Sequence, residues 1–279
     1  MTISKSQQLA ALFKEACLAE LTALKPGNVH IFADGHGMLV QDFIKSAEVT
    51  SAVIAQPGIG VGQRILDAVN VTWEAVACNT NLGIVLLSAP LIQAALFGSN
   101  TSLQARLNTV LNQLTVQDAV LSFQAIQRAS PAGLGTTDKH DVNISPDVTL
   151  LAAMQAGAHR DMIAQQYANG YADILGFGIE RYRQALAKWD KPAWAVTSLY
   201  LGLLATYEDS HVLRKYGAEA ASNLCSQAKQ YDQALLEQDN PKLYQRQLMD
   251  WDAELKTNGL NPGTSADLTV ATLLAYSLS

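Results

Sequence analysis

Residues 82–97 read LGIVLLSAPLIQAALF and form the most apolar stretch of the chain. A helix that is apolar on every side is buried on every side, so we expect this segment to lie at the centre of a helical bundle. It is too short to span a bilayer comfortably, and it contains Ser88, Pro90 and Gln93. The stretch therefore favours a buried core helix over a membrane segment.

Helical periodicity continues on both sides of this central segment. Apolar residues recur at i, i+3, i+4 and i+7 in 6–24, and similar patterns follow in 40–55 and 61–77. Period-2 alternation and Asn-Gly hairpin signals are absent from the sequence. These patterns predict an all-α protein, and the lack of any linker predicts one domain over residues 1–279.

The second half of the chain carries clear helix-start signals. Thr115 with Asp118 has the pattern of a capping box that opens a helix at 116–129. Ser145-Pro146 combines a capping serine with proline at the first helical position. Further helices are predicted at 147–166, 168–188, 192–207, 211–236, 241–257 and 265–277. The expected architecture is a single bundle of about ten to twelve helices with a loop-built active site.

Composition limits the classes of function. The chain has 279 residues, of which 49% are hydrophobic and 16% charged, so disorder is not expected. The formal net charge is −6 and basic runs are absent, which argues against a nucleic-acid partner. A negatively charged substrate must then be met by local cations or by a metal ion. Mg²⁺ held by a few carboxylates and by substrate phosphates suits this balance.

The cysteines and the N-terminus indicate a cytoplasmic protein. Cys17, Cys78 and Cys225 are odd in number, widely spaced and without a CxxC pair. A disulfide framework or a zinc knuckle is therefore not expected. The first residues, MTISKSQQLAALFKEA, resemble a helix start and not a signal peptide. We expect no membrane association.

Five short polar segments interrupt the apolar helices. They are KPGNVHIFADGHG (25–37), ACNTNLG (77–83), SPAGLGTTDKHDV (130–142), EDSHVLRKYG (208–217) and LNPGTSADL (260–268). Four of the five histidines lie in these segments. Loops carry function because a rigid scaffold aims them. The segments therefore predict an active site at one end of the bundle, where all five converge.

The first segment collects groups suited to phosphate and metal chemistry. A Pro-Gly turn after a helix explains only its first three residues, and not the nearby His30, Asp34 and His36. We interpret Lys25 as a phosphate ligand and Asp34 as a metal ligand. A histidine here exchanges protons near neutral pH.

The second segment stands before the apolar helix. Asn79 and Asn81 are either helix caps or groups that orient a sugar or a nucleobase, and the sequence leaves both open. The N–H groups at the start of helix 82–97 are a natural phosphate seat.

The third segment offers a competing interpretation. His140-Asp141 is the pair that metal-dependent phosphohydrolases of the HD type use, but here it lies among Pro and Gly residues, which indicates a loop. The glycine-rich stretch 131–135 is better interpreted as a lid over a ligand.

The last two segments place acids at helix starts. Asp209 is suited to an N-cap, whereas Arg214 and Lys215 in the following turn are suited to holding phosphate. Ser265 is expected to cap the last helix, with Asp267 in its first turn. His159, within AGAHRDM, is expected on a helix in a structural role.

In this order, the polar segments resemble the triphosphoribosyl-dephospho-CoA synthase family. Its KPGLVD resembles KPGNVH (25–30), its GAH/DM element resembles DGHGM (34–38), and its DF and SA resemble 42–43 and 46–47. Its NTHKG is similar to NTNLG (79–83), and its DTNV followed by arginine is similar to DSHV (209–212) followed by Arg214-Lys215. Its SPGGSADL is similar to NPGTSADL (261–268). The resemblance spans residues 20 to 275.

Departures from the family pattern mark a divergent branch. The His and Lys of NTHKG are Asn81 and Leu82 here, and the aspartate of KPGLVD is His30. The family moves the ribose 5′-triphosphate of ATP onto a hydroxyl of 3′-dephospho-CoA and releases adenine. The resemblance therefore implies a cytoplasmic transferase with ATP as substrate and Mg²⁺ as inferred cofactor.

The resemblance and the residue chemistry together define a candidate site. The acceptor is dephospho-CoA or another hydroxyl-bearing cofactor precursor, such as a pterin-type C1 carrier. A phosphohydrolase and a nucleotide-binding protein without catalysis remain the alternatives. The candidate catalytic residues are Asp34, His36, Asp209, His211 and Asp267, with Asp34, Asp209 and Asp267 also metal ligands. The candidate substrate-binding residues are Lys25, Asn28, His30, Asn79, Thr80, Asn81, Arg214, Lys215 and Ser265.

Overall fold

The computed structural model describes residues 3–98, 101–131, 142 and 144–279, which form fourteen α-helices and no sheet. The helices are α1 (Lys5–Thr22), α2 (Val40–Ile54), α3 (Val61–Val76), α4 (Leu82–Leu96), α5 (Leu103–Asn112), α6 (Val116–Ala129), α7 (Leu150–Gly157), α8 (Met162–Asn169), α9 (Ile179–Trp189), α10 (Pro192–Thr206), α11 (Ser210–Tyr216), α12 (Ala218–Leu236), α13 (Gln245–Thr257) and α14 (Gly263–Leu278). A π-helical turn (Asp173–Gly178) precedes α9, and a 3₁₀ turn (Pro241–Tyr244) precedes α13. The predicted all-α class is confirmed.

The helices outnumber the expected ten to twelve because two predicted helices are interrupted. Gly217, with φ of 87°, separates α11 from α12 within the predicted 211–236. The predicted 147–166 begins only at Leu150, where Thr149 caps α7, so the start predicted at Ser145-Pro146 is wrong. Asp161 then begins α8 by accepting two backbone N–H groups. The third additional helix is α5, which the sequence patterns did not predict.

The central apolar segment forms α4, as predicted. Its side chains are buried on all sides, and α10 and α14 are buried to a similar extent. Pro90 lies inside α4 and has no N–H to offer the carbonyl of Leu86. The Tyr167 hydroxyl donates to that carbonyl at 2.6 Å, and the Tyr171 hydroxyl donates to Leu87 O at 3.1 Å. Two tyrosines near α8 therefore compensate for the proline and fix α8 against α4.

Helix starts gather at one end of this core. The α14 helix packs against α1, α4, α10 and α11, and α8 packs against α4 and α7. The first turns of α4, α8, α11 and α14 contribute to one cavity, together with the last turn of α1. Among the described helices, none is long and apolar enough to cross a membrane.

Candidate active site

All five polar segments contribute described residues to the wall of a single cavity of about 450 Å³. Each segment is represented there, by Asn28, Asn79, Pro131, His211 and Asp267 respectively. Cavities of a few hundred Å³ are typical of sites for small molecules and cofactors. The convergence that the sequence predicted is therefore observed, although it leaves several of the predicted residues behind the wall.

Asp267 presents a free carboxyl group to the cavity. It lies one turn into α14 against Gly83, in the first turn of α4, where an added Cβ would lie 2.1 Å from Asp267 Oδ2. Only glycine permits this approach. No hydrogen bond or ion pair joins the Asp267 side chain to another described residue. The group is therefore free to react with a ligand.

His211, on α11, packs against α14 one helical turn before Asp267. Its Nδ1 packs against Gly263, where an added Cβ would lie 2.8 Å away, and Asp267 is four residues further along α14. Positions i and i+4 of a helix face the same side, with Cβ atoms roughly 5–6 Å apart. The imidazole and the carboxyl group therefore line neighbouring parts of the same cavity.

The pKa values of these two groups are shifted in opposite directions. Burial, followed by the nearby carboxylates Asp209 and Glu20, raises the pKa of Asp267 well above its usual value of 3.8. Burial, followed by the cations Arg214 and Lys215, lowers the pKa of His211 to about 4. The raised pKa favours the protonated form of Asp267, and the imidazole of His211 is neutral at neutral pH. Such a pair supplies one proton donor and one proton acceptor.

Two arginines are the cations among the described lining residues. Arg214 pairs through Nη1 with Asp161 Oδ2, while its buried Nε has no described partner. Asp161 Oδ1 at the same time caps α8 by accepting from Ile163 N and Ala164 N. Arg160 is exposed and has no ion pair within the described part of the chain. One arginine is therefore held in place and the other is available for phosphate.

Lys25 is completely buried and does not reach the cavity surface. Its Nζ contacts Glu20 Oε1 and donates to Asn28 Oδ1 at 2.9 Å. Asn28 Nδ2 in turn donates to Asn261 Oδ1 at 2.8 Å. Glu20, Asn28 and Asn261 line the cavity in front of the lysine. The structure thus places Lys25 behind three polar side chains, where it cannot bind phosphate directly as predicted.

The asparagines of the second segment have different roles. Asn79 Oδ1 accepts from Leu82 N at 3.1 Å, so Asn79 caps α4 and still lines the cavity. Asn81 Nδ2 donates to the hydroxyls of Thr50 and Thr72, both at 3.0 Å. The Thr80 hydroxyl is 2.6 Å from Ser46 Oγ. Asn81 and Thr80 therefore fix the start of α4 to α2 and α3, and both also line the cavity.

Asp209 is almost fully buried and accepts four hydrogen bonds. Its Oδ1 accepts from His211 N and Val212 N, which makes it the N-cap of α11. Its Oδ2 accepts from both the N–H and the hydroxyl of Ser265, at 2.8 and 2.9 Å. Ser265 lies in the first turn of α14, so the prediction that it caps that helix is wrong. The two residues join α11 to α14 and leave no lone pair of Asp209 for a metal or a proton.

Four other predicted residues lie outside the cavity wall. Asp34 is exposed, and its Oδ1 accepts from Val40 N at 2.7 Å at the start of α2. His36 contacts Gly27 O through Nε2 at 2.7 Å, and burial lowers its pKa. Lys215 is exposed over the ring of Tyr216.

The fourth, His30, is fully buried and supports the loop at residues 25–30. Its Nδ1 accepts from Phe32 N, so the proton lies on Nε2, which faces Asp252 Oδ2 at 3.3 Å. Asp252 also accepts from Gly27 N at 2.8 Å and from Lys256 at 3.0 Å. These contacts place His30 and His36 behind the site as supports of the Pro-Gly turn.

The predicted metal triad is not assembled. Asp34, Asp209 and Asp267 do not meet, and no three His, Cys, Asp or Glu side chains within residues 3–98, 101–131, 142 and 144–279 cluster as a metal site. The described residues do not supply a dedicated metal cage. The alternative based on His140-Asp141, and the glycines of 132–135, lie outside the described residues.

Comparison with known proteins places the chain in a family. A model of the ATP:dephospho-CoA triphosphoribosyl transferase family matches residues 6–279. The chain belongs to this family. Its fold is similar to the crystal structure of a "putative triphosphoribosyl-dephospho-CoA synthase" from Archaeoglobus fulgidus, with a TM-score of 0.64 and 21% identity over 86% of this chain and 98% of that one. The comparison with curated proteins gave no match.

Family membership confirms the resemblance that the polar segments predicted, while the structure shows which residues that reasoning missed. Glu20, Arg160, Asp161, Asn261 and Thr264 all line the cavity. Arg160 and Asp161 adjoin His159, which was assigned to a helix but lies exposed in the turn between α7 and α8. The signal was present in Asp161, a good N-cap residue directly before the apolar Met-Ile-Ala of α8.

Proposed function

We propose that this chain transfers the ribose 5′-triphosphate group of ATP to a hydroxyl of 3′-dephospho-CoA and releases adenine. Family membership over residues 6–279 supports the reaction class. The structural observation that carries the proposal is that Asp267 and His211 line one cavity, where their opposite pKa shifts favour a protonated carboxyl group and a neutral imidazole. This is the acid–base pair that the reaction needs.

The proton balance of the transfer assigns a role to each group. The bond from the anomeric carbon to adenine breaks, and a bond from that carbon to the acceptor oxygen forms. Adenine gains a proton as it leaves, and the acceptor hydroxyl loses one. We assign proton donation to Asp267 and proton acceptance to His211. A positioned acid or base typically contributes 10²–10⁴-fold to the rate.

Arg160 and Arg214 are proposed to hold the triphosphate. Because Asp161 already neutralises part of the charge on Arg214, these two side chains leave most of the triphosphate charge unbalanced. We therefore propose that Mg²⁺ enters as the MgATP complex, bound mainly by phosphate oxygens and water, as Mg²⁺ commonly is. On this proposal the reaction requires Mg²⁺ although the described residues supply no metal cage.

Apolar side chains in the cavity wall are proposed to exclude water. Leu86, Phe123, Ile126, Met154 and Ile163 line the cavity from α4, α6, α7 and α8. Water in the site would compete with the acceptor and hydrolyse ATP at the same carbon. A dry wall limits this side reaction.

The test is incubation with ATP, Mg²⁺ and a panel of acceptors, with adenine measured by chromatography. We expect adenine release that depends on both Mg²⁺ and dephospho-CoA. Asp267→Asn should reduce it by about 10²-fold or more. The exposed Asp250→Asn, a change of the same chemistry outside the cavity, should not.

Each alternative gives a different result in this assay. ADP or phosphate without adenine would indicate a phosphohydrolase. Adenine release only with a pterin-type acceptor would show that this compound, and not dephospho-CoA, is the acceptor. Tight ATP binding with no turnover would indicate a binding protein.

A further inference from the structure

A directional chain of hydrogen bonds leads from the buried Lys25 to the cavity. Lys25 donates to Asn28 Oδ1 at 2.9 Å, and Asn28 Nδ2 donates to Asn261 Oδ1 at 2.8 Å. Asn28 and Asn261 are 5% and 7% exposed, and both line the cavity. None of the roles considered above uses this arrangement.

The chemistry of Lys25 determines the direction of the whole chain. Burial lowers the pKa of Lys25 and raises the pKa of Glu20, and each group opposes the shift of the other. If the proton stays on lysine, its ammonium group only donates. If the proton moves to Glu20, the lysine lone pair faces that proton and its N–H groups still face Asn28. In both states the atom of Asn28 that faces Lys25 must be oxygen.

The orientation of the second amide follows from the first. Because Asn28 turns its oxygen to Lys25, its NH₂ group faces Asn261. Asn261 must therefore accept this hydrogen bond through its Oδ1. Asn261 Nδ2 is then the remaining amide group, and no other described residue accepts from it. Unlike a free asparagine, which can flip, Asn261 is held with a hydrogen-bond donor towards the cavity.

The surroundings of Asn261 favour an anionic ligand. Pro262 follows directly, and Gly263 and Thr264 at the start of α14 also line the cavity. The N-terminal end of a helix carries partial positive charge and attracts phosphate. The ligand atom that best suits this donor is a phosphate oxygen.

We propose that Asn261 Nδ2 donates a hydrogen bond to an oxygen of the triphosphate, and that Lys25 and Asn28 act as positioning residues that hold the amide in this orientation. The inference rests on the proposed function for the identity of the ligand. It also explains how Lys25 contributes to phosphate binding while remaining fully buried.

The test measures binding of inorganic tripolyphosphate with Mg²⁺ by calorimetry, so that no nucleoside contact contributes. Asn261→Ala should weaken binding roughly 10-fold or more, as expected for loss of a hydrogen bond to a charged group. Asn261→Asp keeps the acceptor for Asn28 but presents a negative oxygen to the ligand, so it should weaken binding further than Asn261→Ala. Asn258→Asp, an exposed position three residues earlier, controls for added charge.

A double-mutant cycle tests the positioning role. Asn28→Ala should weaken binding in the wild-type background, because it releases Asn261 to rotate. In the Asn261→Ala background the same change should have little further effect, since its route of action is gone. Additive losses of binding free energy would show that Asn28 acts independently of Asn261, and would overturn the proposed positioning role.

The other outcomes separate this inference from the proposed function. Unchanged tripolyphosphate affinity in Asn261→Ala, with normal thermal unfolding and normal adenine release by the wild type, would overturn the inference alone. Asn261-dependent binding of tripolyphosphate by a protein that releases no adenine would overturn the function and leave the inference standing. Tighter binding to Asn261→Asp than to Asn261→Ala would also overturn the inference, because it would mean that the ligand donates at this position.

Discussion

Replacing Gly83 by alanine tests whether the position of Asp267 controls the reaction. The new Cβ would lie 2.1 Å from Asp267 Oδ2 and 2.5 Å from its Cγ, whereas ordinary contacts begin at 3.4 Å. The carboxyl group must therefore retreat by about 1.3 Å, the difference between these contact distances. A displacement of about 1 Å can cost roughly 10²-fold in rate. We expect a loss of about that size in adenine release.

The same substitution should change stability much less than activity. Alanine in place of glycine within a helix raises the free energy of unfolding by roughly 0.5–1 kcal/mol. Inserting a methyl group into a packed site costs about 1–3 kcal/mol. The two effects partly cancel, so the free energy of unfolding should fall by no more than about 2.5 kcal/mol. Adenine release and denaturant unfolding, measured on the same preparation, separate the two effects.

Gly157 provides a matched control for this experiment. It is a helical glycine that also lines the cavity, but an added Cβ would meet only Ala164 Cβ at an ordinary 3.6 Å. Gly157→Ala should therefore be folded and should retain most activity. In an Asp267→Ala background, Gly83→Ala should lose most of its steric cost to stability, because the clashing carboxyl group is absent and only the Cβ of residue 267, at 3.1 Å, remains close. Activity of Gly83→Ala within about threefold of wild type, in a folded protein, would refute the importance of this carboxyl position.

The remaining predictions concern pH and a buried carboxylate. Activity should fall as the pH drops through about 4, where His211 gains a proton, and again at higher pH, as Asp267 loses its proton through its raised pKa. Glu20→Gln removes a negative neighbour that raises the pKa of Asp267, so the high-pH limb of the adenine-release profile should move to lower pH; an unmoved limb would exclude Asp267 as the acid. In Asp209→Asn, the NH₂ group must replace one carboxylate oxygen and face the two donors bound to it, such as the N–H and hydroxyl of Ser265. The free energy of unfolding, measured by denaturant titration, should therefore fall by about 1–3 kcal/mol. A neutral effect would show that Asp209 acts only as an interchangeable cap.

Local patterns predicted the scaffold because their causes are local. The apolarity of 82–97 determines that α4 is buried, and the capping box of Thr115 with Asp118 forms at the predicted place. The order of the polar segments was also sufficient to predict the family. Helix interruptions were harder to predict, because a single Gly217 or Asp161 decides them against a continuous helical pattern.

Roles of individual polar residues depended on contacts between distant parts of the chain. From the sequence alone, Lys25 and Asp267 are equally good candidates for a ligand site, Lys25 for phosphate and Asp267 for a metal ion. Folding buries Lys25 behind Asn28, which bonds to Asn261, a residue 233 positions further along the chain. The same folding turns Asp267 towards the cavity. Residue type alone cannot distinguish these outcomes.

The sequence by itself determined an all-α bundle, the central helix and the residue segments that meet at the site, since periodicity and capping act over one or two helical turns. Only the tertiary structure decided which of those polar groups face a ligand. It did so because burial and neighbouring charges, which no local pattern contains, set the pKa of Asp267 and His211 in opposite directions. The close approach of Asp267 to Gly83 likewise depends on how α14 packs against α4.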